Sequence, residues 1–303
     1  MKRLLLIVLP LLLIVGCSKP EPINYKEMLI ERGGVYYTKD TNEPYSGPIF
    51  SLYKNGNKES ETLLKKGNID GLWSSWYDNG NEKYKQNYSN GKKVGDYTKW
   101  YKEGNIKEEY FKRDSLYVLS KYYENGQESN KTTFLNGKPH GDSYKWYKNG
   151  QKRFHTNFKN GSIEGLVTEW YENGMTTQVG RYKNNKKNGL WNRWFENGQK
   201  TVEGNFKDDK KNGVWETWYK NGKQKNKGTF INDLMEGEWS FYYQNQGSLF
   251  NNWETTKGIF KAGDGGNLHP NSNIPLNGRN GTFITSINGI MTSKSKYING
   301  KKI

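Results

Sequence analysis

The sequence predicts an all-β protein: an elongated, single-layer antiparallel meander built from 24-residue β-hairpin repeats, preceded by an N-terminal signal helix. Three observations predict it. The stretch Gly213-Val-Trp-Glu-Thr-Trp-Tyr-Lys-Asn-Gly222 is rewritten as Gly189–Gly198, Gly165–Gly174, Gly141–Gly150, Gly95–Gly104, Gly71–Gly80 and a degenerate Gly47–Gly56. The leading glycines step by 24 residues from Gly47 to Gly95 and again from Gly141 to Gly237. The chain has 11 Trp, 22 Tyr, 12 Phe and 35 Gly, while aliphatic residues are scarce. Rings must therefore supply most of the buried area of a thin repeat structure, and their regular placement argues against a disordered chain.

At the N-terminus, Lys2 and Arg3 precede the apolar run Leu4–Val15, interrupted by Pro10. The run is short for a membrane span and has the layout of a secretory signal. Ile14-Val15-Gly16-Cys17 resembles the bacterial lipobox. That resemblance implies cleavage before Cys17, lipidation of Cys17 and anchoring in the cell envelope, with Ser18 favouring the outer membrane of a two-membrane cell. Cys17 is the one cysteine, so an intramolecular disulfide is excluded. The formal charge is +16, two units of which leave with Lys2 and Arg3. A basic, exported, lipid-anchored chain meets anionic lipid, acidic glycan or cell wall more readily than nucleic acid. The plain alternative is that lysines keep a sheet soluble and its edges unpaired.

The expected organisation follows in order. Residues 1–17 are the signal, 18–25 a tether containing Pro20 and Pro22, and 26–46 an N-terminal capping segment. Tyr25–Arg32 makes one or two helical turns with Asn24 as N-cap, and Val35–Thr38 a strand. Residues 47–260 hold the repeats. In the unit beginning at Gly189, Leu190–Phe195 is a strand and Glu196-Asn-Gly198 a tight turn with positive φ at both central positions. Lys200–Phe206 returns, and Lys207–Gly213 is the second connection. Tyr117 replaces a leading glycine in one shortened unit, and Asn245-Gln-Gly247 lengthens one turn. Residues 261–280 form an inserted loop rich in Gly, Asn and Pro, and 281–303 a C-terminal capping hairpin.

Alternation along the strand puts Trp191, Arg193 and Phe195 on one face and Leu190, Asn192 and Trp194 on the other. Gly180, Gly204 and Gly228 leave gaps on which a neighbouring ring can lie flat. The structural ladder is assigned to the recurring tryptophans Trp76, Trp100, Trp146, Trp170, Trp194 and Trp218.

Sites for chemistry are not found. His140, His155 and His269 are scattered, with His140 in an exposed turn, and none has metal-ligand spacing. Nucleophile elbows and phosphate loops are missing, and Gly263-Asp-Gly-Gly266 lacks a strand–helix context. The paired carboxylates Glu108-Glu109 and Asp208-Asp209 imply no cleft. The expectation is a non-enzyme without cofactor or metal, acting as a monomer. Every second turn of a meander emerges on one edge, so Lys92, Lys93, Lys138, Lys186, Lys187, Lys210 and Lys211, with Lys301 and Lys302, form a candidate basic edge for an anionic lipid or polysaccharide. The other turns mix signs.

Gly-x-Trp-x-x-Trp-Tyr-x-Asn-Gly, followed by an aromatic and an Asn-Gly-Lys-Lys-x-Gly-like turn, resembles the MORN repeat, and in particular the bacterial variant of proteins labelled YwqK-type antitoxins. The resemblance covers about residues 47 to 247 and implies a repeat sheet used as an interaction scaffold for a protein or lipid partner. Two other functions stay open. A cell-wall or carbohydrate-binding module also combines Trp, Tyr and Gly at similar spacing. An antitoxin predicts a cytoplasmic location, which conflicts with the lipobox.

Overall fold

A computed structural model describes residues 20–244, 253–263, 274–288 and 290–303. Cys17, the signal segment, the turn Asn245-Gln-Gly247, His269 and residues 264–273 of the insertion lie outside them. The described chain is β throughout apart from one helical turn, and it divides into a unit ending at Gly104 and a second from Asn105. Each unit is an antiparallel meander in which a strand pairs with the strands before and after it in sequence.

The first unit begins with a correction. Asn24 does cap a helix, accepting from the Lys26 amide at 3.3 Å, but the helix is only Tyr25–Met28. Leu29–Arg32 is instead a strand paired with Val35–Thr38 in a separate two-stranded sheet. Tertiary burial explains the switch: Leu29 joins Ile49 and Leu64 in a small core, with Ile23, Tyr25, Tyr36, Tyr45 and Ile69 around it. Ile23–Asn24 adds a parallel strand to Gly47–Leu52. The repeat strands Lys58–Lys65, Gly71–Trp76, Glu82–Ser89 and Lys92–Trp100 then follow.

The turns alternate between two kinds, and the structure exchanges the expected assignment. At Glu196-Asn-Gly198 the Gly198 amide donates to the Phe195 carbonyl at 2.9 Å and the Phe195 amide to the Gln199 carbonyl at 2.8 Å. Only Gly198 is left-handed there, with φ 84°. This is the three-residue turn closed by a glycine bulge, not a two-residue turn. Asn197 is held by its side chain: it accepts from the Gln199 amide at 3.2 Å and donates to the Lys220 carbonyl of the next repeat at 3.0 Å. The two-residue turns lie at the other ends of the strands. Asn184–Asn185, Asp208–Asp209 and Asn232–Asp233 have positive φ at both positions, which Asn and Asp tolerate better than other side-chain-bearing residues.

That exchange shortens the second connection. Lys210-Lys-Asn-Gly213 belongs to the strand Lys210–Trp218 rather than to a loop. Each tight turn is fastened to the next: the Asp209 amide donates to the Lys187 carbonyl at 3.0 Å, and Asp209 Oδ1 accepts from the Lys187 amide at 2.8 Å. Asp233 repeats both bonds with Lys211. At the opposite ends, tyrosine hydroxyls bond forward by 23 residues. Tyr123 donates to the Trp146 carbonyl, Tyr147 to Trp170 and Tyr171 to Trp194. These carbonyls sit at strand bulges, where the ladder leaves an acceptor free. Tyr171→Phe is expected to cost about 1 kcal/mol in chemical denaturation, the net value of one hydrogen bond. Phe195 provides the internal comparison, having no hydroxyl at the equivalent position.

Burial also corrects the ladder. Trp76, Trp100, Trp146, Trp170, Trp194 and Trp218 are only half-buried, at the bulged strand ends. In the second unit the buried column is the other tryptophan of the repeat: Trp191, Trp215 and Trp239, at 2%, 7% and 3% exposure. Each indole lies on a glycine of the preceding strand. A Cβ at Gly180, Gly204 or Gly228 would overlap the Cδ2 and Cε2 atoms of Trp191, Trp215 or Trp239 respectively. The rings then interlock edge to face in one row, Tyr182–Trp191–Phe206–Trp215–Phe230–Trp239–Phe260–Phe283–Tyr297, with centroids 4.9 to 6.4 Å apart. Edge-to-face contact matches the positive rim of one ring to the negative face of the next. Towards the C-terminus the row widens into a cluster of Met235, Trp239, Phe241, Phe260, Ile274 and Phe283.

Candidate functional site

Two lysine pairs of the predicted edge, Lys186–Lys187 and Lys210–Lys211, do not act as pairs. Side-chain alternation sends Lys186 and Lys210 outwards, exposed, and turns Lys187 and Lys211 over the ring row. The Lys187 ammonium stands 4.5 Å from the Trp191 ring and 5.1 Å from Phe206. Lys211 stands 5.0 Å from Trp215 and 4.7 Å from Phe230. Each indole thus has glycine backbone beneath it, rings at its edges and an ammonium above. Cation–π attraction of this kind contributes about 0.5–1 kcal/mol per contact. In the first unit Lys92 and Lys93 are both exposed, and Lys93 reaches the Tyr84 ring at 5.7 Å. Lys138, Lys301 and Lys302, in the second unit, are exposed.

Between Lys187 and Lys211 the face is grooved. The groove has a volume of about 290 Å³; its floor includes Trp191, Phe206, Trp215 and Phe230, and its sides carry Gln178, Arg193, Thr217 and Asn226. Three cations line it and no carboxylate does. Among the described residues neither Lys187 nor Lys211 is in an ion pair. A second, wider cleft of about 600 Å³ opens at the tight-turn ends of the same strands. Lys183, Lys186 and Lys207 line it, with Asp208 as its acid. The sequence located Lys186, Lys187 and Lys211 but not their division, and it missed Lys183 and Lys207 of the cleft. Arg193, Gln178 and Asn226 gave no signal of their own.

The histidines are placed differently from expectation. His140 is half-buried at the start of the strand Lys138–Trp146, where its Nδ1 accepts from the Asn160 amide at 3.4 Å. His155 stacks on Tyr144 at 4.4 Å and donates from Nε2 to Asp142 Oδ1 at 2.8 Å. The His155 hydrogen bond, helped by Asn157 and opposed by partial burial, holds the Asp142 carboxyl below its usual range. A depressed carboxyl contributes stability that is present above the unfolded-state value and lost as pH falls through the folded one. Asp142→Asn should therefore flatten the acid limb of the stability–pH profile in that window, as measured by denaturation across acidic pH. No cluster of His, Cys, Asp and Glu able to hold a metal occurs among the described residues. No helix among them is long and apolar enough to cross a membrane.

Comparison with known proteins gives a family match over part of the chain. The sequence has no match among curated proteins. Among solved structures it is similar to TarM, with 13% identity over 30% of this chain and 20% of that one and a TM-score of 0.22. It is also similar to TcdB2-TccC3-TEV and to the Photorhabdus luminescens Tc holotoxin pore, each with 11% identity over 89% of this chain and a TM-score of 0.20. The chain spans a fifth or less of the length of these three. Residues 69–92, 139–160, 163–184, 187–208 and 211–232 match the family described as the MORN repeat variant. Segments 163–184, 187–208 and 211–232 hold most of the residues that line the groove and the cleft, with Lys186 and Trp239 outside them.

Proposed function

We propose that the protein is a non-catalytic binding scaffold of the cell envelope, held to the membrane through a lipid on Cys17, and that its tight-turn edge engages an anionic lipid surface. Repeats of this type mediate binding. The observation that carries the reading is the exposed lysine set of the second unit. Lys183, Lys186 and Lys207 surround an open cleft with one acid, and Lys210 stands exposed beside Asp209 at the next turn. Exposed ammonium groups on successive turns attract an anionic surface over a Debye length, each adding about 1 kcal/mol at the membrane. The monomeric state and the absence of catalysis belong to the same proposal.

The test is flotation of the full chain, with Cys17 replaced by Ser, on vesicles of phosphatidylglycerol and phosphatidylcholine. Binding should rise with anionic lipid, weaken with salt and fall when Lys183, Lys186, Lys207 and Lys210 are all changed to Gln. Binding that ignores these four changes, or the lipid charge, overturns the edge as the contact surface. Fractionation of cells, with and without Cys17→Ser, tests the anchor separately: release of the variant from the membrane fraction is the expected result.

A further inference from the structure

We propose that the aromatic groove between Lys187 and Lys211 is a separate binding site, taking an acidic polysaccharide segment whose carboxylates meet the two ammonium groups. The site lies on the sheet face, whereas the lipid contact proposed above uses the turn edge. Four observations carry it. The first is charge: Lys187, Arg193 and Lys211 line the groove, no acid does, and neither lysine is in an ion pair among the described residues. A carboxylate ligand would supply the anion that this arrangement lacks. The second is how the cations are held. Each ammonium rests over two rings and keeps its main-chain amide bonded to an Asp of the next turn. The lysine is thus ordered before a ligand arrives, which lowers the entropic cost of binding.

The third observation is spacing. Lys187 and Lys211 are equivalent residues of successive repeats, two strands apart, or roughly 9.6 Å at the usual inter-strand distance. A row of identical cells suits a polymer that repeats its own charge, and less well a single compact anion. The fourth is size and lining. A groove of about 290 Å³ lies at the low end for small-molecule sites and admits a few sugar units rather than a helix. An extended peptide needs free main-chain partners, and those of the flanking strands are engaged in the sheet ladders. Gln178 and the Asn226 amide nitrogen instead offer polar groups that suit sugar hydroxyls, the Asn226 oxygen accepting from the Thr217 hydroxyl at 3.0 Å. The indole faces are covered, so recognition runs through the cations and these polar groups, with little ring-on-sugar stacking.

The test is titration of the full chain, carrying Cys17→Ser, with oligogalacturonate, read by calorimetry and by tryptophan emission. Binding should shift the emission, because a carboxylate beside the ammonium changes the field at the indole. K187Q/K211Q should weaken binding about tenfold or more, while K187R/K211R keeps it. K183Q/K186Q/K207Q/K210Q should leave it within about twofold apart from a weaker salt dependence. Thermal melts identify any variant that loses its fold, and K187R/K211R then still reports on the charge. No binding of oligogalacturonate overturns the proposal. So does equal binding of neutral maltooligosaccharide, equal binding of polyglutamate, or an edge variant as damaging as K187Q/K211Q. Because the edge and the groove carry different lysines, vesicle flotation and glycan titration succeed or fail independently.

Discussion

Gly204→Ala is expected to lower the unfolding free energy by about 3 kcal/mol, the upper end of the usual overpacking cost. The new methyl would occupy the space of Trp215 Cδ2 and Cε2. The indole has little room to move aside, because Phe206 and Phe230 hold its edges at 5.0 and 5.9 Å and Lys211 lies over it. The decisive measurement is a double-mutant cycle by urea denaturation. In a Trp215→Val background the same Gly204→Ala change should cost little, giving a coupling energy of about 2 kcal/mol or more. The chain already contains that solution: Val167 stands where Trp215 stands in its own repeat, and the residue eleven before it is the buried Thr156 rather than glycine. Additive costs in the two backgrounds would show that ring and glycine do not share one space.

Arg279→Ala should destabilise the protein by about 3–5 kcal/mol, since it deletes charge-assisted hydrogen bonds and leaves acceptors buried without donors. Arg279 is 5% exposed. It donates from Nε to the Pro275 carbonyl at 2.8 Å, from Nη2 to the Ile274 carbonyl at 3.2 Å and from Nη1 to the Tyr297 hydroxyl at 3.0 Å. Its guanidinium also lies over the Phe283 and Tyr297 rings at 5.0 and 4.9 Å. Burial lowers its pKa, with Tyr297 opposing, yet arginine keeps its proton at neutral pH. The planar fork reaches three acceptors at once, which an ammonium does not do from one position. Arg279→Lys should therefore recover only part of the loss. Denaturation of the three proteins under one buffer condition checks the order wild type, Lys, Ala; an Ala variant as stable as wild type would remove Arg279 from the support of Ile274.

The contrast between these residues shows what was readable beforehand. Gly204 was legible because its period is shared with Gly180 and Gly228, and a glycine recurring inside a strand has few other uses. Arg279 was not, because it occurs once, in a stretch resembling an inserted loop, and its acceptors come from main-chain carbonyls that any sequence provides. The assignment of the ladder to Trp76 through Trp218 failed for a related reason. Both tryptophans of the repeat recur with one period, and only the strand register, which sets Trp215 beside Gly204, decides which of them covers the glycine. The two turn types were exchanged because Asn-Gly dominates the sequence signal, although the Asn197 side chain bonds the next repeat and leaves left-handed φ to Gly198 alone.

The sequence by itself determined that the chain is β, that its hairpins recur every 24 residues, and that rings and glycines supply much of its interior; the aliphatic core of Leu29, Ile49 and Leu64 in the first unit was not among these. Period, alternation and turn residues are local properties, and a repeated local pattern can satisfy itself only by pairing with its own neighbours. Tertiary structure alone decided which tryptophan is buried, where Leu29 goes and how the pairs Lys186–Lys187 and Lys210–Lys211 divide. Those choices depend on strand register, and one bulge or one left-handed residue turns a side chain to the other face. Lys186 and Lys187 are adjacent and chemically identical, yet one stands in solvent and the other lies over Trp191 and Phe206.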